Sequence, residues 1–184
     1  MSYIRSTLVH SESTVLSNNI TEITSNNGVT VSGLNFRNQA ILGPVVGMIE
    51  NRTTQSILTS TTTSVTFNTN VINVNGGGDA ANNQLVATEA GVYLVSFYAL
   101  WSNHATIGTE RLLILSKSGS SVAIDSYGSC IGDTGHEVFY TSNVAAGTTF
   151  TVSAWQNSGS TLNIGAATPF KYSRGSLIYL SSPP

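Results

Sequence analysis

Apolar and polar residues alternate with a period of two along much of the chain, a pattern that predicts β-strands. The clearest case is the stretch 92–101, whose even positions lie on one face of the predicted strand: Val92, Leu94, Ser96, Tyr98 and Leu100. The odd positions lie on the other face: Tyr93, Val95, Phe97, Ala99 and Trp101. Because both faces are largely apolar, we expect one to pack inside a sandwich and the other against a second copy of the protein.

Further strands are predicted at short intervals, with no convincing amphipathic helix between them. They are predicted at 46–51, 55–60, 63–68, 109–117, 121–127, 136–143, 149–156, 160–164 and 173–181. The connections are rich in turn-forming residues, and 75–83 (NGGGDAANN) is predicted to be a loop. Short strands at this spacing indicate an all-β sandwich or jelly roll.

The first 44 residues have a different character from the rest of the chain. They hold only short alternating pieces (ITEIT, GVTVSGLNF, QAIL), separated by glycines and closed by Pro44. Such a segment cannot bury enough apolar surface to fold alone, but it can when wound with identical segments from other chains. The sequence therefore predicts two parts, a segment 1–44 and a globular head 45–184.

Composition excludes several classes of function. Of 184 residues only 9% are charged and the net charge is −2, while Ser, Thr, Asn and Gly together account for 83 residues. Without a basic cluster nucleic-acid binding is not expected. Without a long apolar run membrane insertion is not expected, and the N-terminus lacks the apolar core of a secretory signal.

Candidate chemistry is sparse. Cys130, Asp133 and His136 lie close together in sequence, but no motif of nucleophilic catalysis accompanies them, and we interpret them as a small thiol and a loop histidine. The acidic residues of the predicted head loops are read as solvated turn carboxylates: Asp79, Asp125, Asp133 and Glu137. We therefore expect no enzyme activity, no cofactor and no metal.

Three stretches of the head resemble the C1q-like domain signature. They are Leu85–Phe97 (LVATEAGVYLVSF), Leu113–Gly119 (LILSKSG) and Val138–Val152 (VFYTSNVAAGTTFTV), followed by a last strand around Gly175–Leu180. The resemblance covers about 46–182 and implies a ten-strand jelly roll of the C1q/TNF type that assembles as a homotrimer. It assigns core or trimer positions to Leu85, Gly91, Tyr93, Val95, Phe97, Leu177 and Tyr179.

The segment Ile20–Leu34 (ITEITSNNGVTVSGL) resembles a stretch of virus and phage fibre proteins, where it forms a short intertwined trimeric stem. A C1q-like head on such a stem implies a virion structural protein: a short capsid fibre or decoration on the particle surface, held to a capsid or tail protein by its N-terminus. A tail-fibre tip and a cellular C1q-like adhesion module are the alternatives.

Aromatic residues predicted near strand ends are candidates for contact with a host glycan or protein, because Trp and Tyr stack well on sugar faces. The set comprises Trp101, Tyr127, Tyr140 and Trp155, of which Tyr127 and Trp155 are our candidate receptor contacts. Packing in the core or at a trimer interface is the commoner role for such residues.

Overall fold

The structure is a computed structural model that describes residues 29–31, 34–37, 40–41, 45–102, 109–128, 133–165 and 172–182. The chain divides into two units, Met1–Leu42 and Gly43–Pro184. Three antiparallel strands are described in the first unit, β1 (Val29–Val31), β2 (Leu34–Arg37) and β3 (Ala40–Ile41). Residues 20–28 of the fibre-like stretch lie outside the described residues, and the role of 1–44 as anchor and stem stays a prediction.

The second unit is built from strands and one short 3-10 turn, Ala80–Asn82. Its strands are β4 (Val45–Asn51), β5 (Gln55–Ile57), β6 (Thr63–Ser64), β7 (Thr69–Asn73), β8 (Gly78–Asp79), β9 (Gln84–Val86), β10 (Gly91–Trp101), β11 (Glu110–Lys117), β12 (Ser120–Gly128), β13 (Thr134–Val144), β14 (Thr149–Gln156), β15 (Leu162–Ile164) and β16 (Ser173–Ser181). Within the described ranges, no helix has the length and apolar character that crossing a bilayer requires.

These strands form two antiparallel sheets whose order is that of a jelly roll. One sheet contains β4–β16–β10–β13 side by side, and the other contains β9–β14–β11–β12. The short strands β5, β6, β7, β8 and β15 extend the two sheets at their margins. The all-β jelly-roll prediction is therefore confirmed, with more short strands than the ten expected.

The core lies between the inner faces of the two sheets. Along β10 buried and half-buried residues alternate without interruption from Gly91 to Trp101, and β14 has the same alternation. β10 pairs with β13 over its whole length, from Gly91 opposite Val144 to Trp101 opposite Thr134. Because a shift by one residue would expose every core side chain, the alternation determines this register.

The predicted strands at 55–60 and 63–68 are shorter in the structure, which places β5 and β6 there, and β7 begins only at Thr69. Val65 and Phe67 are buried as their alternation predicts, but they lie between strands. Their backbone N–H groups donate to isolated acceptors, the Val152 carbonyl at 2.9 Å and Asn83 Oδ1 at 2.7 Å. Alternation thus predicted the burial of Val65 and Phe67 correctly, but it did not predict that they lie outside a strand. Strand formation needs a ladder of backbone hydrogen bonds to residues distant in sequence.

For orientation, the near end of the head is where β4 begins at Val45, and the far end is where β4 ends at Asn51.

A buried polar cluster closes the sandwich at the far end. Arg111 and His136 are almost fully buried, and the Arg111 guanidinium carbon lies 5.8 Å from the centre of the Trp101 ring. Asp125 Oδ2 lies 3.5 Å from His136 Nδ1, and the Tyr127 ring packs edge-on against the imidazole at 5.1 Å.

The environment of His136 disfavours its charged form. Burial lowers the pKa of the imidazole below its ordinary value of 6.5, the nearby Arg111 charge lowers it further, and the Asp125 carboxylate acts in the opposite direction. The folded protein therefore holds His136 neutral at a pH where the same histidine in the unfolded chain takes up a proton.

This asymmetry predicts acid sensitivity of the fold. As the pH falls below about 6.5, His136 binds a proton in the unfolded chain but stays neutral in the folded chain. The free energy of unfolding therefore decreases. Denaturant unfolding at pH 8 and pH 5 measures the decrease. In His136→Gln the decrease over this range should be smaller, and an equal decrease in both proteins would contradict the assignment.

Tyr93 tests the placement of β10. Its side chain is 1% exposed, and its hydroxyl donates a hydrogen bond of 3.0 Å to the Glu89 carbonyl oxygen. Tyr93→Asp buries an unpaired carboxyl group and should cost about 3–5 kcal/mol of unfolding free energy. Tyr93→Phe keeps the ring, loses one hydrogen bond and should cost about 1 kcal/mol. Unchanged melting of the Asp variant would show that this strand is misplaced.

Candidate functional site

The structure places six of the seven core or trimer positions between the two sheets. These are Leu85, Gly91, Tyr93, Val95, Phe97 and Leu177, all buried. The seventh, Tyr179, is half-buried and packs edge-on against Tyr93, with ring centres 5.2 Å apart. Burial of this kind assigns these residues to the core of one head.

Tyr127 in β12 and Trp155 in β14 belong to strands of the second sheet that flank β11, but they lie on opposite faces of the sheet. Tyr127 stands opposite Arg111 on the inner face, and it is 51% exposed because β12 is an edge strand. Trp155 stands opposite Leu112 on the outer face and is half-buried. The two side chains cannot line one binding surface.

Trp101 and Tyr140 have the commoner role of such aromatic residues, packing with the core, and do not lie exposed at loops. Trp101 ends β10 with its ring fully buried beside Arg111. Tyr140 lies within β13, half-buried, with Lys117 Nζ 5.8 Å from its ring centre. Both follow the inward alternation of their strands, which decides burial irrespective of closeness to a strand end.

His136 is a buried strand residue, so its interpretation as a loop histidine is wrong. It belongs to the inward-facing positions of β13, two residues before Val138. The predicted strand 136–143 already begins at His136, and β13 starts two residues earlier because Thr134 and Gly135 extend the strand beyond its apolar pattern. Cys130 lies outside the described residues.

Two of the four acidic residues expected in head loops lie in strands instead, while Asp133 is exposed and precedes β13. Asp125 lies in β12 and Glu137 in β13, whereas Asp79 caps the 3-10 turn. Asp79 oxygens accept hydrogen bonds from the backbone and side chain of Asn82 and from Gln84, and the side-chain bonds lower the pKa of this carboxyl group. Among the described residues no three metal-ligating side chains cluster.

Apolar residues also lie on the outer face of the first sheet, where the core does not cover them. We name this set the outer apolar face, and its members are Met48, Leu94, Phe139, Ile178 and Leu180. Leu94 stands directly opposite Ile178, and Phe139 is 67% exposed. The face occupies the near and middle parts of the sheet.

A shallow cleft of about 420 Å³ lies on the same outer face at its far end, lined by Glu50, Tyr98, Tyr172 and Arg174. We name it the far-end cleft. Sheet pairing brings its residues together, because Tyr98 stands opposite Arg174 and Arg174 stands opposite Glu50. These positions are widely separated in the sequence and form no motif, so no local pattern points to them.

The contacts around the cleft hold its charged groups in a defined arrangement. Arg52 Nε donates to Glu50 Oε2 at 3.1 Å, and the Arg52 guanidinium lies 5.6 Å from the centre of the Tyr172 ring. The Tyr98 ring lies across Gly135, where an added Cβ would come within 2.6 Å of its hydroxyl. Glycine at 135 therefore lets the ring lie against β13, at the wall of the cleft.

One solved structure shows what this head is similar to. The globular domain of zebrafish complement 1qA protein aligns with 76% of this chain and 99% of that chain, at 16% sequence identity and a TM-score of 0.48. No protein-family model matches the sequence. No curated protein matches it either. The jelly-roll assignment follows from the strand order of this chain.

Proposed function

We propose that this chain is the subunit of a short homotrimeric fibre or decoration on a virus or phage particle. The N-terminal segment attaches it to a capsid or tail protein, and the jelly-roll head contacts the host surface. It acts by assembly and binding, without catalysis, cofactor or metal.

The outer apolar face is the observation that carries this proposal. Leu94 and Ile178 form an apolar cross-strand pair, and Phe139 stands diagonal to Leu94, opposite Ser96, with most of its surface exposed to water. An exposed group of apolar side chains on one face of a sheet favours burial against a partner. A second and third copy of the same chain are the partners that the C1q-like resemblance implies, and a closed ring of identical contacts leaves none of these faces open.

The low charge of the chain agrees with a role in binding by contact. With a net charge of −2, long-range electrostatic attraction contributes little to capture of a partner. Three equal sites on one trimer strengthen weak individual contacts through avidity. A host glycan or protein held by hydrogen bonds and aromatic stacking suits such a surface.

Trimer formation is the first prediction of this proposal. Mass measurement in native buffer should give three chains per particle for the wild type. Phe139→Asp places a charge on the outer apolar face and should shift the mass towards the monomer, because an unpaired buried charge is costly. Ile124→Asp is the matched control, since Ile124 is 60% exposed on the second sheet. A wild-type monomer or dimer, or equal effects of the two variants, would contradict the proposal.

Attachment through the N-terminus is the second prediction. Residues 1–17 contain too few apolar residues for a fold of their own, so in this proposal they fold only against the particle. Their deletion should therefore leave a soluble trimeric head that no longer incorporates into particles. Incorporation is measured by immunoblotting of purified particles. Labelled particles seen by electron microscopy distinguish a capsid from a tail position, and normal incorporation of the truncated chain would contradict attachment at this end. Absence of the full-length chain from every particle would favour a cellular adhesion module.

A further inference from the structure

We propose that the far-end cleft is a binding site for a sugar residue that carries a carboxylate, such as a uronic acid unit of a surface polysaccharide. This inference deepens the host-contact part of the proposed function and rests on it for its biological role. Binding itself, however, is a property of the head that is measured separately.

The anion-binding element of the site is Arg174. In the ranges that the structure describes, no carboxylate forms an ion pair with its guanidinium, and the side chain is exposed. Glu50, the acidic residue that faces it across the strand pair, already pairs with Arg52. An open guanidinium binds a carboxylate through two parallel N–H···O hydrogen bonds, the geometry that best matches its planar fork.

Two acidic groups define what else the ligand must carry. Glu50 lines the cleft, and Glu137 stands opposite Tyr98 on its other side, exposed to solvent. Carboxylates accept hydrogen bonds, so they favour a ligand with hydroxyl donors and repel one with several negative charges. A phosphate-rich ligand is therefore disfavoured, and a polyol with a single carboxylate satisfies both the arginine and the acidic groups.

The tyrosines supply the apolar contact. Tyr98 and Tyr172 line the cleft, and neither is deeply buried. The C–H face of a sugar ring packs on a tyrosine ring, while the hydroxyl groups around its rim reach polar neighbours. A cleft of about 420 Å³ has room for one or two sugar units.

The cleft differs from the outer apolar face although the two share one sheet. Its members are charged or hydroxylated, whereas the outer apolar face holds Leu94, Ile178 and Phe139. Charged groups resist desolvation in an interface between subunits, so the far end of the sheet is the part that stays open to water in an assembly. A trimer then presents three such clefts at one end.

The test is titration calorimetry of full-length protein with an acidic oligomer that carries a single carboxylate, one glucuronic acid unit linked to glucose, and with a neutral glucose oligomer of equal length as reference. We expect binding of the acidic oligomer with a dissociation constant of roughly 1 mM per site and at least fivefold weaker binding of the neutral one. Equal binding of both, or none of the acidic oligomer, would overturn the proposal.

Variants locate the site. Arg174→Gln should weaken binding of the acidic oligomer about tenfold while leaving the neutral oligomer unchanged, and Tyr172→Ala should weaken both. The matched control is Lys117→Gln, which removes a cation beside the ring of Tyr140, away from the cleft. Loss of binding in Tyr127→Ala or Trp155→Ala, with Arg174→Gln unaffected, would assign the site to the second sheet and overturn the cleft.

Gly135→Ala provides an independent geometric test. The added methyl group occupies the space of the Tyr98 hydroxyl and should displace the ring from the wall of the cleft, which weakens acidic and neutral oligomers alike. Native mass is measured for each variant. A trimer that incorporates into particles but binds no sugar refutes the cleft alone, whereas a monomeric protein that binds the acidic oligomer refutes the trimeric fibre alone.

Discussion

Strand β10 carries apolar side chains on both faces, and a single sandwich covers only the inner one. Tyr93, Val95 and Phe97 are sealed between the sheets, while Leu94 and its neighbours across the sheet stay half-open. Three strands of the first sheet pair with β10 directly: β13 along one edge, and β16 and then β15 along the other. The proposed assembly follows from the apolar outer face of β10, because apolar surface in contact with water is unfavourable and a partner subunit would bury it.

The two ends of the head differ in chemistry. On the near and middle parts of the first sheet the outer side chains are mainly apolar, whereas charged groups gather at the far end. There the protein accommodates guanidinium groups in two ways. Arg111 is buried against Trp101 inside the sandwich, and Arg174 stands open on the outer face. The first contributes to a pH-dependent core through His136, and the second is available to a ligand.

Low overall charge gives these few groups their importance. Only 9% of the residues are charged, so distant charges contribute little electrostatic field. The ion pairs that a charged side chain forms therefore depend on its immediate neighbours. The Arg52–Glu50 pair shows this, since Arg174 has no acidic partner among the described residues although Glu50 stands opposite it. Hydroxyl and amide side chains supply most of the remaining polar contacts, such as the Gln156 amide, which bridges the Ile57 and Ser160 carbonyl oxygens.

Period-two alternation was sufficient to predict the class of fold, the long strands β10, β11, β14 and β16, and the inward direction of Tyr93 and Phe97. Turn chemistry was equally local, as at the β11–β12 hairpin, where Ser118 and Gly119 both adopt positive φ. The far-end cleft and the Arg111–His136 cluster had no such signature. The members of the cluster come from consecutive strands that belong to two different sheets. The members of the cleft come from strands far apart in sequence, and only strand order and register bring Glu50, Arg174 and Tyr98 side by side. Alternation specifies which face a side chain takes, but its neighbours on that face depend on which strands pair, and that pairing is decided by the packing of the whole sandwich.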